Sequence, residues 1–170
     1  MIFIFITGYH GTTLENAYNI IDSGQFIISN SNTEWLGSGI YFYYDLSDAY
    51  DWKATEAILH CVIKIDEDSF MDLDDERSKK LINDMINYIY ESEDLCAEFS
   101  AKYIQKNQCA LMKMIWDSYP KLKTIAATFK KNERKIKFLI DPRSGRKEFC
   151  VRNNESIKLI QLIRKDDLDD

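Results

Sequence analysis

The stretch Met1-Ile-Phe-Ile-Phe-Ile-Thr7 opens the chain, and Gly8-Tyr-His-Gly11 follows it directly. A short apolar run that is rich in β-branched and aromatic residues and ends at a glycine is typical of a buried β-strand. The run lacks the basic start of a secretory signal, and it is far shorter than the ~18 residues of a membrane span. We therefore expect a buried first strand in a cytoplasmic protein that has no membrane partner.

A helix is predicted directly after this strand, followed by several short elements. Thr12-x-x-Glu15 forms a capping box, apolar side chains recur at helical spacing from Leu14, and Gly24 suits the position after the helix. The segments predicted next are a strand at 26–28, a loop at 29–35, a strand at 40–44, a short helix capped by Ser47 and ending at Trp52, and a strand at 57–65.

The middle of the chain is helical and its last third is rich in short strands. Residues 74–119 abound in Leu, Ile, Met, Lys and Glu, which predicts two or three helices. The strands predicted after them lie at 124–129, 135–140, 148–151 and 157–163. Strands at both ends around a helical middle predict an α+β fold rather than a doubly wound sheet. A chain of 170 residues with 45% hydrophobic side chains is expected to form a single domain, 1–170.

Cysteine spacing and charge distribution narrow the class of protein. Cys61, Cys96, Cys109 and Cys150 form no C-x-x-C pair, which indicates reduced, mostly buried thiols rather than a zinc site or a disulfide scaffold. The net charge is −6, yet the segment Lys121–Lys147 carries ten Lys and Arg against two acidic side chains. A basic segment of this kind either meets a polyanionic partner or balances the acidic helices.

Three short motifs carry residues suited to ligand chemistry. Tyr9-His10-Gly11-Thr12 is expected at the junction of the first strand and first helix, where free N–H groups and a glycine let a ligand approach the backbone. On the aromatic strand Tyr41 shares a face with Tyr43 and opposes Phe42. Phe42 or Tyr43 is expected in the core, while one face of the strand is expected to be exposed or to line a pocket, where an aromatic platform would suit a planar ring. Glu148 is a single carboxylate at the start of an apolar strand.

Together these motifs resemble the ADP-ribosyltransferase superfamily. The resemblance lies in His-Gly-Thr at 10–12, an amphipathic helix ending in Gly24, the run Leu36-Gly-x-Gly-Ile-Tyr-Phe, and Glu148-Phe-x-Val before a closing strand. The chain looks most like the branch with a His–Tyr–Glu signature, which includes the poly(ADP-ribose) polymerases and diphtheria-type toxins. The resemblance covers about 5–65 and 135–163. It implies a split antiparallel β-sheet core, with a helical insertion at about 74–122.

The resemblance implies a role for each matching residue. Glu148 would be catalytic, His10 would bind the adenosine-side ribose, and the backbone of Gly11 would hold the nicotinamide carboxamide. Thr12 would support the ribose pocket, and Tyr41 would stack on the nicotinamide ring. The site implied by the resemblance consists of His10, Gly11, Thr12, Gly39, Tyr41, Tyr50, Trp52 and Glu148.

Two positions depart from the family pattern. The family's Ser-x-Ser-x-x-Tyr stretch is altered to Ser47-Asp-Ala-Tyr-Asp-Trp52, so either Tyr50 or Trp52 closes the second side of the nicotinamide ring. Arg146 stands two residues before Glu148, where arginine-modifying transferases carry a Glu. An arginine there disfavours modification of an arginine acceptor. It either favours an anionic or nucleic-acid acceptor or is a plain surface residue.

The resemblance implies an enzyme that consumes NAD as its substrate and needs no metal. A small stand-alone transferase of this kind looks like a toxin of a toxin–antitoxin or anti-phage defence system, by fold-level analogy. Its partners would be NAD, a macromolecular acceptor (RNA, DNA or protein) and an antitoxin protein. Two alternatives are an NAD glycohydrolase, with water as acceptor, and an inactive module that binds NAD or ADP-ribose. His10, Tyr41 and Glu148 are all present, which argues against the inactive module.

Overall fold

The fold is that of a computed structural model, which describes residues 2–30, 34–52, 54–92, 104–130 and 145–168. The predicted strand at 135–140 and Cys96 lie outside the described residues. Within the described ranges the strands are β1 (Phe3–Thr12), β2 (Ile40–Tyr43), β3 (Ala57–Asp66), β4 (Phe70–Asp72), β5 (Thr124–Lys130), β6 (Gly145–Val151) and β7 (Ile157–Arg164). The helices are α1 (Leu14–Ser23), α2 (Leu46–Tyr50), α3 (Glu76–Glu91) and α4 (Ile104–Ser118).

These strands form one sheet in the order β4-β5-β6-β2-β1-β3-β7. Neighbouring strands are antiparallel, except for the parallel pair β4 and β5. Strands β1 and β3 pair along all of Phe3–Thr12, whereas β1 and β2 share a single register pair, Tyr9 with Tyr43. The sheet is therefore continuous but narrow at its centre. The predicted α+β class is confirmed, and it contains a mixed sheet with seven strands among the described residues.

Different hydrophobic clusters cover the two faces of the sheet. Phe42 of β2 and Phe149 of β6 stack at 5.3 Å in the cluster that also contains the buried side of α1. The neighbouring Cys150 points to the opposite face, where Ile82 of α3 and Met112 of α4 cover the sheet. Adjacent residues belong to different clusters because side chains alternate along a strand. Burial of each large apolar side chain contributes about 1.5–3 kcal/mol, so both clusters hold the central strands in place.

The first strand and the first helix differ from the prediction in three respects. Strand β1 begins with exposed side chains, since Phe3 and Phe5 are 43% and 66% exposed, so the predicted buried strand is wrong for this end. The strand also continues through Thr12, and the N-cap of α1 is Thr13, whose Oγ1 accepts from the Asn16 N–H. The carboxylate of Glu56 accepts from the Leu14 N–H. The predicted capping box at 12–15 therefore does not form, and side chains of the protein occupy the Leu14 and Asn16 N–H groups at the helix start.

Other local predictions have mixed outcomes. Gly24 ends α1 with φ of 67°, as predicted. The strand predicted at 26–28 is absent, because the side chain of Asn154 bonds both the N–H and the carbonyl of Phe26 in place of a neighbouring strand. Asp45, not Ser47, precedes the short helix α2. Strand β4 was not predicted. No helix in the described ranges is long and apolar enough to cross a bilayer.

Candidate active site

The candidate site lies where β1 and β2 diverge beyond the Tyr9–Tyr43 pair. In place of a further ladder bond, the imidazole of His10 crosses the gap, with 2.8 Å between its Nδ1 and the carbonyl oxygen of Tyr41. A carbonyl oxygen can only accept, so Nδ1 carries the proton. The gap leaves one edge of β1 open. This opening is the local reason that a pocket forms at the centre of the sheet.

A pocket of about 520 Å³ occupies this gap. Pockets of roughly 300–1,000 Å³ accommodate small-molecule ligands. The lining consists of His10, Gly11, Ile27, Ser29, Glu34, Trp35, Gly39, Tyr41, Tyr43, Trp52 and Glu148. Six of the eight residues in the predicted site thus line one pocket, although they come from three strands, the residue before β2 and the segment after α2.

The pocket holds His10 in its neutral form. Burial lowers the pKa of His10, and this effect outweighs the opposing hydrogen bond to Tyr41. The ring packs edge-on against Phe26 at 5.3 Å and lies 5.7 Å from Phe42. With the proton on Nδ1, Nε2 presents a lone pair and acts as a hydrogen-bond acceptor. A hydroxyl group is the kind of donor that fits this nitrogen.

The hydroxyl of Tyr41 is fixed by two backbone groups. It accepts from the Leu36 N–H at 2.9 Å and donates to the Gly37 carbonyl at 2.7 Å. Burial is the main cause of a raised Tyr41 pKa, so the phenol stays protonated. Because its polar end is engaged, the ring offers only its face to the pocket. Tyr41 is therefore arranged to stack on a planar ligand and not to exchange protons.

Glu148 is a largely buried carboxylate with an elevated pKa. It lies opposite Tyr43 in the pairing of β6 with β2. Burial raises the pKa of Glu148 to about 7, with the charges of Asp48 and Glu34 acting in the same direction, while Arg146 opposes them. The protein therefore holds a carboxylate whose ionisation falls in the neutral range. Perturbed carboxylates in pockets are typical of functional sites, because burial of an unneeded charge is unfavourable.

Arg146 is not a surface residue, which corrects one of the two expectations for it. Its side chain is 19% exposed, and its Nε lies 3.4 Å from the Asp48 carboxylate, an ion pair without hydrogen-bond geometry. The guanidinium also lies 5.1 Å from the centre of the Tyr43 ring. Because β-strand side chains alternate, Arg146 and Glu148 share a face of β6. Arg146 thus links α2 to the floor of the pocket.

Two glycines of the motifs are required by close packing. A Cβ on Gly39 would meet Cys150 Sγ and would lie 2.8 Å from the Val151 carbonyl oxygen. A Cβ on Gly11 would meet Thr55 Oγ1 and would lie 2.9 Å from the Ala49 carbonyl oxygen. Gly11 is predicted to let a ligand approach the backbone. The structure gives another reason for a glycine there, which is its close packing against Thr55 and Ala49. Gly11 is small because the loop after α2 packs against it.

The structure separates the two candidates for a second stacking residue. Trp52 lines the pocket and is 42% exposed. Tyr50 does not line it, since its ring lies 4.3 Å below the ammonium of Lys165. Thr12 also lies outside the lining and is 6% exposed at the end of β1. Thr12 is therefore not part of the lining of the pocket that it is predicted to support.

Several lining residues were missed from the sequence. Tyr43 lines the pocket, and burial raises its pKa to about 12, so the prediction that one of Phe42 and Tyr43 is core holds for Phe42 alone. Ser29, Glu34 and Trp35 come from the segment before β2, which the sequence predicts to be a loop. The alternation of Tyr41 and Tyr43 was a usable signal. For the loop residues no signal existed, because their position depends on the turn that Tyr41 fixes.

The described cysteines are free thiols. Cys61 and Cys150 are buried, and burial raises the pKa of each thiol to about 12. Cys109 is half-buried. In the part of the chain that the structure describes, no group of three His, Cys, Asp or Glu side chains is placed to hold a metal ion.

The chain is similar to a distant archaeal protein. No protein-family model matches the chain. An uncharacterized protein of Methanocaldococcus jannaschii is 26% identical over an alignment of 192 positions, which covers 95% of this chain and 88% of the relative. The similarity extends over nearly the whole length of both proteins.

Proposed function

We propose that this protein cleaves NAD at the nicotinamide–ribose bond and transfers the ADP-ribose to a macromolecule. The observation that carries the proposal is the convergence of His10, Tyr41 and Glu148 on one pocket from three different strands. Each has a distinct chemical character there: a neutral acceptor nitrogen, an aromatic face and a carboxylate with a raised pKa. These are the groups that a ribose, a nicotinamide ring and a developing positive charge require.

The ground-state contacts follow from the orientation of the groups. His10 Nε2 would accept from a hydroxyl of the adenosine-side ribose, and Tyr41 and Trp52 would contact the nicotinamide ring. The edge of β1 that faces β2 has no strand partner beyond Tyr9 among the described residues, so the backbone near Gly11 offers peptide groups to the carboxamide. A carboxamide is both donor and acceptor, which suits an open strand edge. Gly39 shapes the wall without contributing a side chain.

Glu148 would be the catalytic residue. As the bond between the ribose C1′ and the nicotinamide nitrogen breaks, its electron pair leaves with nicotinamide and positive charge develops on the ribose. An ionised Glu148 stabilises that charge and accepts from the 2′-hydroxyl, as carboxylates do in glycoside cleavage. Nicotinamide leaves as a neutral molecule, so no general acid is needed. Loss of a preorganised group of this kind lowers the rate on the order of 10²–10³-fold.

The ADP-ribosyltransferase fold of the His–Tyr–Glu branch belongs to the same proposal. It is supported by the sequence resemblance and by a sheet whose halves meet through one register pair, with the pocket beside that junction. We extend it to a toxin or anti-phage effector that works in the cytoplasm and is restrained by an antitoxin. That extension rests on the small size of the chain and on analogy between folds.

An NAD glycohydrolase is the second candidate, and one observation favours it. Glu34 is a second carboxylate in the lining, and its charge acts on the pKa of Glu148. A carboxylate near the reacting carbon can orient a water molecule as readily as an acceptor side chain. Transfer and hydrolysis would then share the cleavage step and differ only in the nucleophile.

Labelled NAD distinguishes these functions. We would incubate the purified full chain with NAD labelled in the adenylate, supplying protein, RNA and DNA pools separately, and follow free nicotinamide in parallel. Transferase activity predicts nicotinamide release with label on one pool, whereas glycohydrolase activity predicts release with all label in free ADP-ribose. The matched control is Glu148→Gln, which keeps the shape of the side chain. Absence of nicotinamide release from the wild-type protein with every pool would contradict the proposal.

A further inference from the structure

A second pocket of about 660 Å³ adjoins the first. Its lining includes Glu34, Gly37, Lys113, Trp116, Asp117 and Arg152. Glu34 lines both pockets, so the two pockets meet at this residue. The second pocket lies between α4 and the segment before β2, and none of the roles proposed for NAD uses it.

The wall between the two pockets is the turn from Glu34 to Gly37. The Gly37 N–H donates to the Glu34 carbonyl at 3.2 Å, and Gly37 has φ of 87°, a backbone conformation that favours glycine. Tyr41 bonds this turn from the side of the first pocket. Trp116 bonds it from the other side, through its Nε1–H and the Leu36 carbonyl at 2.7 Å. The turn is thus held from both sides, which fixes the position of Glu34.

Arg152 gives the second pocket a cationic, planar surface. Its guanidinium lies 4.2 Å from the centre of the Trp116 ring. Within the described ranges no carboxylate lies within ion-pair distance of it. Lys113 is the other cation of the lining, and it pairs with Asp117 at 2.7 Å. A guanidinium stacked on an indole keeps its N–H edge for an anion, and its outer face can carry a nucleobase.

The neighbouring surface extends this positive charge. The Arg152 N–H donates to the carbonyl of Lys123, and the side chains of Lys121 and Lys123 are exposed. These lysines begin the basic segment Lys121–Lys147 that stands out in the sequence. Glu34 and Asp117 are the acidic groups of the pocket, and Asp117 is already paired. Exposed cations that lead to a stacking platform are typical of a groove for single-stranded nucleic acid.

We propose that the second pocket binds the acceptor, a nucleotide of single-stranded nucleic acid, with its phosphate on Arg152 and its reactive group beside Glu34. This inference rests on the proposed cleavage of NAD in the first pocket. An N–H or O–H group of the nucleotide attacks the ribose C1′, and the C1′–nicotinamide bond breaks with its electron pair on nicotinamide. The proton of the nucleophile passes to the Glu34 carboxylate. The products are ADP-ribosylated nucleic acid, nicotinamide and one proton, which Glu34 returns to water.

The test uses the full chain, adenylate-labelled NAD and a fluorescent single-stranded oligonucleotide of about 12 nucleotides and mixed sequence, as RNA and as DNA. Binding is measured by anisotropy without NAD, across a salt series. The variants are Arg152→Gln and Glu34→Gln. The matched control is Arg164→Gln, since Arg164 is also an exposed arginine but belongs to β7 at the far edge of the sheet.

We expect the wild-type protein to bind the oligonucleotide with an affinity that falls steeply with salt. Arg152→Gln should weaken binding about tenfold or more, and Arg164→Gln should change it less than about twofold, because only Arg152 faces the pocket. Glu34→Gln removes a negative charge, so it should bind at least as tightly as wild type. It should nevertheless lower the fraction of cleaved NAD that ends on the oligonucleotide about tenfold or more.

Equal binding by Arg152→Gln and Arg164→Gln would overturn the inference, as would label that appears on protein while the oligonucleotides stay unbound. These outcomes leave NAD cleavage intact. A wild-type protein that releases no nicotinamide would instead contradict the proposed function and, with it, the transfer step. The anisotropy titration needs no NAD and decides the binding site in that case as well.

Discussion

His10 donates its Nδ1–H to the carbonyl oxygen of Tyr41 across 2.8 Å, and this bond joins two motifs that are 31 residues apart in the chain. It takes the place of a ladder bond where β1 and β2 separate. It also selects the tautomer of His10 that leaves Nε2 as an acceptor. One hydrogen bond therefore shapes the pocket and sets the chemistry of its histidine.

The first prediction concerns the affinity for NAD. His10→Ala and Tyr41→Ala should each weaken NAD binding by about 1–3 kcal/mol, or roughly 5–150-fold in Kd. His10 accepts a hydrogen bond from a ribose hydroxyl in the proposed complex, and Tyr41 stacks on the nicotinamide ring. Isothermal titration of each purified variant measures the effect. If neither dissociation constant changes, NAD does not bind in this pocket.

The second prediction concerns the turn that Tyr41 holds. Tyr41→Phe keeps the ring but leaves the Leu36 N–H and the Gly37 carbonyl without their hydroxyl partner. Since Leu36 is fully buried, the free energy of unfolding should fall by about 1–3 kcal/mol in chemical denaturation. The control is Tyr88→Phe, a tyrosine of α3 that is 61% exposed and whose change should stay within about 0.5 kcal/mol. Equal stability of the two variants would show that the hydrogen bonds of the Tyr41 hydroxyl do not stabilise the fold.

The third prediction separates Trp52 from Tyr50. Trp52→Ala should raise the Kd for NAD about tenfold, because Trp52 lines the pocket and offers an aromatic face to the ligand. Tyr50→Leu should leave the Kd within about twofold, since the ring of Tyr50 lies beneath Lys165. The reverse order of effects would place Tyr50 at the ring and show that α2 moves when NAD binds.

The fourth prediction concerns pH. Burial raises the pKa of Glu148 to about 7, and catalysis needs the ionised carboxylate. The kcat/KM for NAD should therefore rise with pH and reach half its plateau near pH 7, because kcat/KM reports the free enzyme. The pH at which kcat reaches half its plateau should be lower, because kcat reports the complex with NAD, in which the positive nicotinamide ring favours the charged carboxylate. A flat profile between pH 5 and 9 would exclude Glu148 as the group that must ionise.

The same pKa shift has a consequence for stability. A carboxyl group whose pKa is higher in the folded state favours folding while it is protonated, and this contribution is lost as pH rises through about 7. Glu148→Gln cannot ionise. At pH 8 it should therefore be more stable than wild type, by up to about 3 kcal/mol, and the difference should shrink towards pH 5. Denaturation at both pH values measures this difference.

Local patterns in the sequence predicted the parts of the fold that depend on local physics. Strand alternation predicted the shared face of Tyr41 and Tyr43, and φ above zero explains why Gly24 ends α1. The motif resemblance selected His10 and Glu148, which the structure brings to one pocket. These inferences needed only neighbouring residues or a family pattern.

The remaining errors arise from partners that are distant in sequence. Glu56 accepts from the first N–H of α1, a contact that the residues at the helix start do not predict. Asn154 satisfies the backbone of Phe26, which removes the need for a neighbouring strand. The side chain of Asp48 draws Arg146 inward from an expected surface position. No local pattern encodes such contacts, because each depends on how the complete sheet brings the segments together.

The most direct test of the central claim is nicotinamide release by wild-type protein and by Glu148→Gln under saturating NAD at pH 8. Wild type should release nicotinamide, and the variant should do so on the order of 10²–10³-fold more slowly, while NAD still saturates it and its thermal unfolding temperature is no lower than that of wild type. That result would assign the transition-state charge to Glu148. Turnover by Glu148→Gln within a few-fold of wild type, or no release by either protein, would contradict the account.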